Sequence, residues 1–123
     1  MAAPIRILIA DDHRLFAEAL EAILGCEAGL EVVGRAADGR EAIEQSERLA
    51  PDVVLLDISM PVLDGFEAAA AIAKLPQRPA VLMLTGSSAT QDVDRARRVG
   101  ADGYVTKDAI AARLVDAIRE AAA

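Results

Sequence analysis

Short apolar runs alternate along this chain with longer stretches in which apolar residues recur at helical spacing. Strands of a parallel sheet are buried on both faces, so they read as continuous apolar runs rather than alternating ones. The predicted strands are Ile5–Ala10, Glu31–Ala36, Val53–Leu56, Ala80–Leu84 and Gly103–Val105. The predicted helices are His13–Leu24, Arg40–Leu49, Gly65–Lys74, a helix from Ser87 or Ser88 to Val99, and one from Ala109 to the C-terminus. This alternation predicts a single α/β domain over residues 1–123, with a parallel sheet and helices on both faces.

The first predicted helix has the clearest apolar stripe and a candidate N-cap in Asp12. Six apolar side chains are expected on its core face: Leu15, Phe16, Ala19, Leu20, Ile23 and Leu24. Cys26 is expected to pack at the end of this helix. His13, in the first turn, is expected to be exposed. In the fourth helix, Asp94 and Arg98 have the spacing of a surface ion pair.

Four of the apolar runs lead to polar residues that suit one reaction site. Asp11 and Asp12 follow the first strand, Asp57 the third, Thr85 the fourth, and Lys107 lies just beyond the fifth. In open parallel sheets the ligand crevice lies beyond the carboxyl ends of the strands. The pattern therefore predicts carboxylates, a hydroxyl and an ammonium around one point, a setting for a divalent metal and a phosphoryl group.

Each of these residues also has an ordinary structural interpretation. Asp12 can be a helix cap and Asp11 a solvated loop residue, while Lys107 and Thr85, taken singly, suit a surface position and a strand end. Mg²⁺ offsets the repulsion of adjacent carboxylates because it binds oxygen ligands. The shared location predicted for the whole set favours the metal and phosphoryl interpretation.

Four segments carry a resemblance to a known family: ILIADDHRLF, DVVLLDISMPVLDGFE, VLMLTG and GADGYVTKD. In this order and separation they resemble the receiver domain of two-component response regulators, from about Ile5 to Ile118. The opening DDHRLF and the closing GYVTKD are similar to the NarL/LuxR type. The resemblance implies a doubly wound, flavodoxin-like (βα)5 fold with strand order 2-1-3-4-5.

The resemblance also implies roles for individual residues. Asp57 would be the phosphoacceptor, since a carboxylate can attack phosphorus and form an acyl phosphate. Mg²⁺ would be held by Asp11, Asp12, Asp57 and the backbone carbonyl of Ser59. Thr85 and Lys107 would contact the phosphoryl oxygens, and Thr85 with Tyr104 would form the conformational switch. Many receivers have proline after this lysine; here it is Asp108, so whether the Lys107–Asp108 peptide is cis stays open.

The implied partners are a sensor histidine kinase, a second copy of the chain after phosphorylation, and a C-terminal helix-turn-helix output domain of a longer, DNA-binding regulator. A net charge of −7 makes nucleic-acid binding by this domain itself improbable, because it would repel phosphates. The single cysteine, with no membrane-length apolar run and no secretory pattern, favours a cytoplasmic location.

Three other functions compete with this interpretation. A haloacid-dehalogenase-type phosphatase also uses a strand-end aspartate, but it needs an acid two residues later, where this chain has Ser59. A flavodoxin needs a Ser/Thr/Gly-rich phosphate loop in place of Asp11-Asp12. A degenerate receiver would act only as an interaction module, but all five expected side chains are present. A stand-alone signalling receiver, without an output domain, is a variant of the main interpretation. We therefore predict a phosphoacceptor that catalyses its own modification rather than a turnover enzyme.

Overall fold

The computed structural model describes residues 3–86 and 90–123 and contains alternating strands and helices. The strands are β1 (Ile5–Ala10), β2 (Leu30–Ala36), β3 (Val53–Asp57), β4 (Ala80–Thr85) and β5 (Gly103–Thr106). The helices are α1 (Arg14–Gly25), α2 (Gly39–Leu49), α3 (Gly65–Ile72), α4 (Thr90–Arg98) and α5 (Ile110–Ala122), and a 3₁₀ turn over Lys107–Ala109 precedes α5. The expected fold is confirmed: the strands form one parallel sheet in the order β2-β1-β3-β4-β5.

Two apolar layers, one on each face of the sheet, hold the fold together. Ile7 and Ile9 of β1 face the layer covered by α1 and α5, whereas Leu8 and Ala10 face the layer that includes α2, α3 and α4. Because both faces are covered, the central run Val53–Leu56 is apolar at every position. Each fully buried leucine or isoleucine contributes about 2 kcal/mol relative to an exposed one.

Aspartate side chains cap two of the helices. Asp38 accepts a hydrogen bond from the Glu41 N–H at the start of α2, and Asp64 accepts one from the Glu67 N–H at the start of α3. The prediction that Asp12 caps α1 is wrong. The N-cap is His13, whose side chain makes no capping hydrogen bond.

The core face of α1 was also predicted incorrectly in part. Its buried residues are Ala17, Leu20 and Leu24, whereas Leu15 is 81% exposed and Ile23 is 40% exposed. A helix buries one stripe against a sheet, and the apolar residues of α1 are spread more widely than that stripe. Cys26, expected to pack, is likewise exposed.

The remaining differences between the predicted and the observed structure concern element ends and single contacts. β3 and β4 each extend by one residue, to Asp57 and Thr85, and α3 ends at Ile72 rather than Lys74. The proposed caps Ser87 and Ser88 lie outside the described residues. Among the described residues, no ion pair joins Asp94 to Arg98, and no peptide bond is cis, including the one after Lys107. No helix in the described ranges is long and apolar enough to cross a membrane.

Candidate phosphoryl and metal site

The strand-end residues meet at one edge of the sheet. Asp57 is the last residue of β3, Thr85 the last of β4, and Asp11 directly follows β1. All three are buried, with 3–4% of their surface exposed. Lys107, just after β5, places its Nζ 3.1 Å from Asp57 Oδ1 and 3.6 Å from Asp11 Oδ2. One ammonium group thus lies between two buried carboxylates from different strands.

Two carboxylate oxygens at this edge have unmet hydrogen-bonding capacity. Asp11 Oδ1 accepts a hydrogen bond from the His13 backbone N–H at 2.8 Å. By contrast, Asp11 Oδ2 and Asp57 Oδ2 are buried and accept no hydrogen bond from the residues that the structure describes. A buried unsatisfied acceptor costs about 1–3 kcal/mol. These two buried oxygens are therefore positioned to accept a hydrogen bond or to bind a cation.

The acidic cluster consists of Asp11, Asp12 and Asp57, with His13 beside it. One potential ligand atom from each of the four lies within 4.8 Å of the others. His13 Nδ1 is 3.2 Å from an oxygen of both Asp11 and Asp12, although the His13 side chain is largely exposed. A hard cation such as Mg²⁺ prefers carboxylate oxygens and retains several waters, so the donor set fits Mg²⁺ better than a nitrogen-preferring metal. The exposed position expected for His13 is observed, but its contact with both aspartates was not anticipated.

Burial raises the pKa of the Asp57 carboxyl above its ordinary value of 3.8, and the nearby negative charge of Asp11 raises it further. The hydrogen bond and positive charge of Lys107 act in the opposite direction, and Asp12 adds a smaller upward effect. The upward influences on the Asp57 pKa prevail, and burial is the largest of them.

The loop after Asp57 packs tightly against the strand end. The Gly65 N–H donates to the Ile58 carbonyl at 2.9 Å, closing the loop onto the end of β3. A Cβ atom added at Gly65 would clash with the Asp57 carbonyl oxygen, so only glycine fits here. Ser59 is exposed in this loop, two residues beyond Asp57. The tight closure fixes the backbone that follows the candidate phosphoacceptor.

Thr85 and Tyr104 differ in exposure although they lie on adjacent strands. Thr85 is buried and pairs in register with Thr106, whereas Tyr104 pairs with Met83 and is 41% exposed. Tyr104 thus lies at the surface of the edge strand β5, two residues before Thr106, which is the residue paired with Thr85.

One aromatic contact was missed from the sequence. Lys107 Nζ lies 4.5 Å from the centroid of the Phe16 ring, which projects from the first turn of α1. Phe16 packs against the apolar layer covered by α1 and α5, as its place on the predicted core face of the first helix suggests. No sequence pattern indicates the contact between Phe16 and Lys107, because the two residues are far apart in the sequence and only folding brings them together.

Comparison with known proteins identifies the family of this chain. The family model for the response regulator receiver domain matches residues 7–119. The response regulator protein VraR of Staphylococcus aureus is 39% identical over 117 residues, which cover 94% of this chain and 56% of VraR. The chain thus spans little more than half the length of this curated relative.

Two solved structures illustrate the similarity of the fold. A LuxR-family two-component response regulator from Aurantimonas sp. SI85-9A1 has a TM-score of 0.92 and 32% identity, covering 98% of this chain and 86% of that one. A chain of the CheX–CheY–BeF3–Mg²⁺ complex from Borrelia burgdorferi has a TM-score of 0.88 and 28% identity, covering 96% and 89%. With the family model matching most of its length, the chain belongs to the response regulator receiver domain family.

Proposed function

We propose that Asp57 accepts a phosphoryl group from a phosphohistidine of a sensor kinase and that this modification switches the domain. The observation that carries the proposal is the buried Asp57 carboxylate, which has Lys107 on one oxygen and no hydrogen bond from the described residues on the other. An oxygen without a hydrogen-bond donor keeps its lone pairs for attack on phosphorus. Neighbouring groups also supply the charge neutralisation that phosphoryl transfer requires.

In the proposed step, an Asp57 carboxylate oxygen attacks phosphorus and forms a P–O bond. The P–N bond to the kinase histidine breaks, and its electron pair leaves with the imidazole. Lys107 is already 3.1 Å from Asp57 and would pair with a phosphoryl oxygen. The Thr85 hydroxyl, at the end of the adjacent strand, would donate a hydrogen bond to another oxygen. Both interactions strengthen as negative charge collects on the transferred group.

Mg²⁺ would be held by Asp11, Asp12, Asp57 and the Ser59 backbone carbonyl. The unsatisfied Asp11 oxygen and the cluster of acidic groups fit a hard dication. When bound, Mg²⁺ would neutralise charge on the phosphoryl oxygens. The complex that contains the Borrelia CheY relative also contains Mg²⁺, which supports this ligand assignment by analogy.

The switch that we propose links Thr85 to Tyr104. Movement of Thr85 toward a phosphoryl group would vacate space near β5 and allow Tyr104 to change rotamer. The surface of α4, β5 and α5 would then change, which would bias an existing two-state equilibrium toward dimerisation or release of an output domain.

The whole regulator that we propose is a cytoplasmic transcription factor. VraR is nearly twice the length of this match, and the Aurantimonas relative is of the LuxR family. We therefore propose a helix-turn-helix output domain beyond residue 123, which binds DNA while the acidic receiver does not. A stand-alone signalling receiver is the alternative. A turnover phosphatase is disfavoured because Ser59 replaces the required second acid.

The test is phosphorylation by acetyl phosphate, with and without Mg²⁺, measured by intact-protein mass spectrometry. The wild type should gain one phosphoryl group in a Mg²⁺-dependent reaction that releases acetate, and the product should be sensitive to hydroxylamine. Asp57→Asn should gain none. Asp64→Asn is the matched control, because it makes the same change in the neighbouring loop while asparagine retains the helix cap. Continued labelling of Asp57→Asn would refute the assignment.

A further inference from the structure

Phe16 forms one wall around the Lys107 ammonium group. The Nζ atom has the Asp57 and Asp11 carboxylates at 3.1 and 3.6 Å, and the Phe16 ring centroid at 4.5 Å. The face of an aromatic ring carries negative electrostatic potential, so it attracts a cation at this distance. The ammonium is therefore held by three groups from three parts of the chain.

The Lys107 side chain does not by itself fix the position of its ammonium group. Its four-carbon stem is flexible and its ammonium is strongly hydrated, and the Lys107 side chain is 27% exposed. Phe16 is half-buried and packs on the core layer beneath α1 and α5, which fixes its ring. A fixed ring beside a mobile ammonium restricts the ammonium to the site and excludes water from one side of it.

We propose that Phe16 is a positioning residue for phosphoryl transfer, whose ring holds the Lys107 ammonium beside Asp57. This inference rests on the proposed role of Asp57 and assigns a further residue to the same reaction. Phe16 does not touch the reacting atoms and acts through Lys107 alone. The interaction requires an aromatic face, whereas a purely structural role would require only an apolar side chain.

The experiment is a double-mutant cycle on this chain, with acetyl phosphate and Mg²⁺ as the probe. Phe16→Leu keeps an apolar side chain and removes the ring, and we expect phosphorylation to slow about fivefold, which corresponds to about 1 kcal/mol. Phe16→Tyr retains the ring and should stay within about twofold of wild type. In a Lys107→Gln background, Phe16→Leu should have no further effect, because the cation is already absent.

A second readout does not depend on phosphorylation. In NMR spectra of the metal-free protein, the Lys107 ε-methylene protons should be shifted upfield by the Phe16 ring current. That shift should disappear in Phe16→Leu and persist in Phe16→Tyr. Thermal unfolding midpoints of all variants establish that they are folded at the assay temperature.

Equal slowing by Phe16→Leu in the wild-type and Lys107→Gln backgrounds would overturn the inference, since the effect would then come from packing. An unchanged rate in Phe16→Leu, or Lys107 protons without a ring-current shift, would also overturn it. Failure of the wild type to gain any phosphoryl group would instead refute the proposed function of Asp57. The two failures are therefore distinguishable.

Discussion

Replacing Asp57 with asparagine is expected to stabilise the metal-free protein at neutral pH. Asp57 is 3% exposed, and its Oδ2 accepts no hydrogen bond from the residues that the structure describes. Asparagine has nearly the same shape and no charge, and its amide group can donate to the equally unsatisfied Asp11 Oδ2. The substitution thus removes one buried anion and offers a donor to another.

The expected change in the free energy of unfolding follows from the charges around Asp57. At an effective dielectric constant of about 20, attraction between Asp57 and Lys107 across 3.1 Å is about 5 kcal/mol. Repulsion from Asp11 and Asp12, within 4.8 Å, is about 3.5 kcal/mol each, with the Asp12 contribution reduced because that side chain is one-third exposed. These contributions nearly cancel. What remains is the burial of an unsatisfied carboxylate oxygen, so we expect stabilisation of about 1–2 kcal/mol.

Urea unfolding at pH 7 without Mg²⁺ would measure this difference directly, and the melting temperature should rise by about 5 °C. The sign of the pH dependence follows from the raised pKa of Asp57. Folded protein binds the proton at pH values where unfolded protein has released it, so wild-type stability falls as pH rises through the folded pKa. The advantage of asparagine should therefore be complete above the folded pKa and disappear below 3.8, the ordinary value.

Mg²⁺ should reduce the difference in stability between the two proteins. At a free concentration ten times its dissociation constant, an ion that binds only folded protein stabilises it by about 1.4 kcal/mol. The wild type should gain more from Mg²⁺ than Asp57→Asn, which lacks one proposed ligand. If Asp57→Asn is less stable than wild type at pH 7 without metal, the attraction to Lys107 outweighs burial and the reasoning is wrong.

Three further predictions concern single positions. Gly65→Ala should destabilise the protein by about 2 kcal/mol and abolish phosphorylation, because the added Cβ meets the Asp57 carbonyl oxygen; Gly25→Ala, which meets nothing within 4 Å, is the control in the same unfolding assay. Ala50→Gly should raise the free energy of unfolding by about 0.5 kcal/mol, because Ala50 ends α2 at a left-handed φ of 47° that glycine adopts without strain; an unchanged or lower value would contradict this. Asp11→Ala should weaken Mg²⁺ binding at least about tenfold in a calorimetric titration, because it removes a buried carboxylate that we propose as a ligand; an unaltered affinity would exclude that ligand.

The sheet was predictable because its strands are buried on both faces. Runs such as Val53–Leu56 contain no residue that prefers water, so neither the strand assignment nor the parallel arrangement depended on a fine periodicity. The strand ends were less certain. Asp57 and Thr85 continue their ladders because backbone hydrogen bonding extends to polar residues where the site buries them.

The faces of α1 could not be predicted in the same way. Its apolar residues cover more of the helix surface than the sheet can bury, so hydropathy does not separate Leu20, which is buried, from Leu15, which is exposed. Its N-terminus was mispredicted for a related reason. Asp12 is a favourable cap by residue type, but here its carboxylate lies beside His13 in the acidic cluster and makes no cap.

The residue types of the candidate site were readable from sequence, whereas its energetics were not. Strand order brings Asp11 and Lys107 to the same edge, but the Phe16 contact and the unsatisfied oxygens depend on side-chain placement within a few ångströms. Such contacts leave no periodic pattern in the amino-acid sequence. They also determine the direction of the Asp57 pKa shift, which residue type alone does not give.

Charge balance at this edge explains why we expect modification to depend on a divalent cation. With Asp11, Asp12 and Asp57 ionised and Lys107 protonated, these four groups carry a net charge of −2. Converting a carboxylate to an acyl phosphate adds about one further negative charge near neutral pH. The ring of Phe16 can hold an ammonium but supplies no formal charge, and the remaining imbalance lies largely out of solvent. The three carboxylates would hold a dication whose charge would offset this excess, so labelling without Mg²⁺ should be slow even when phosphodonor is abundant.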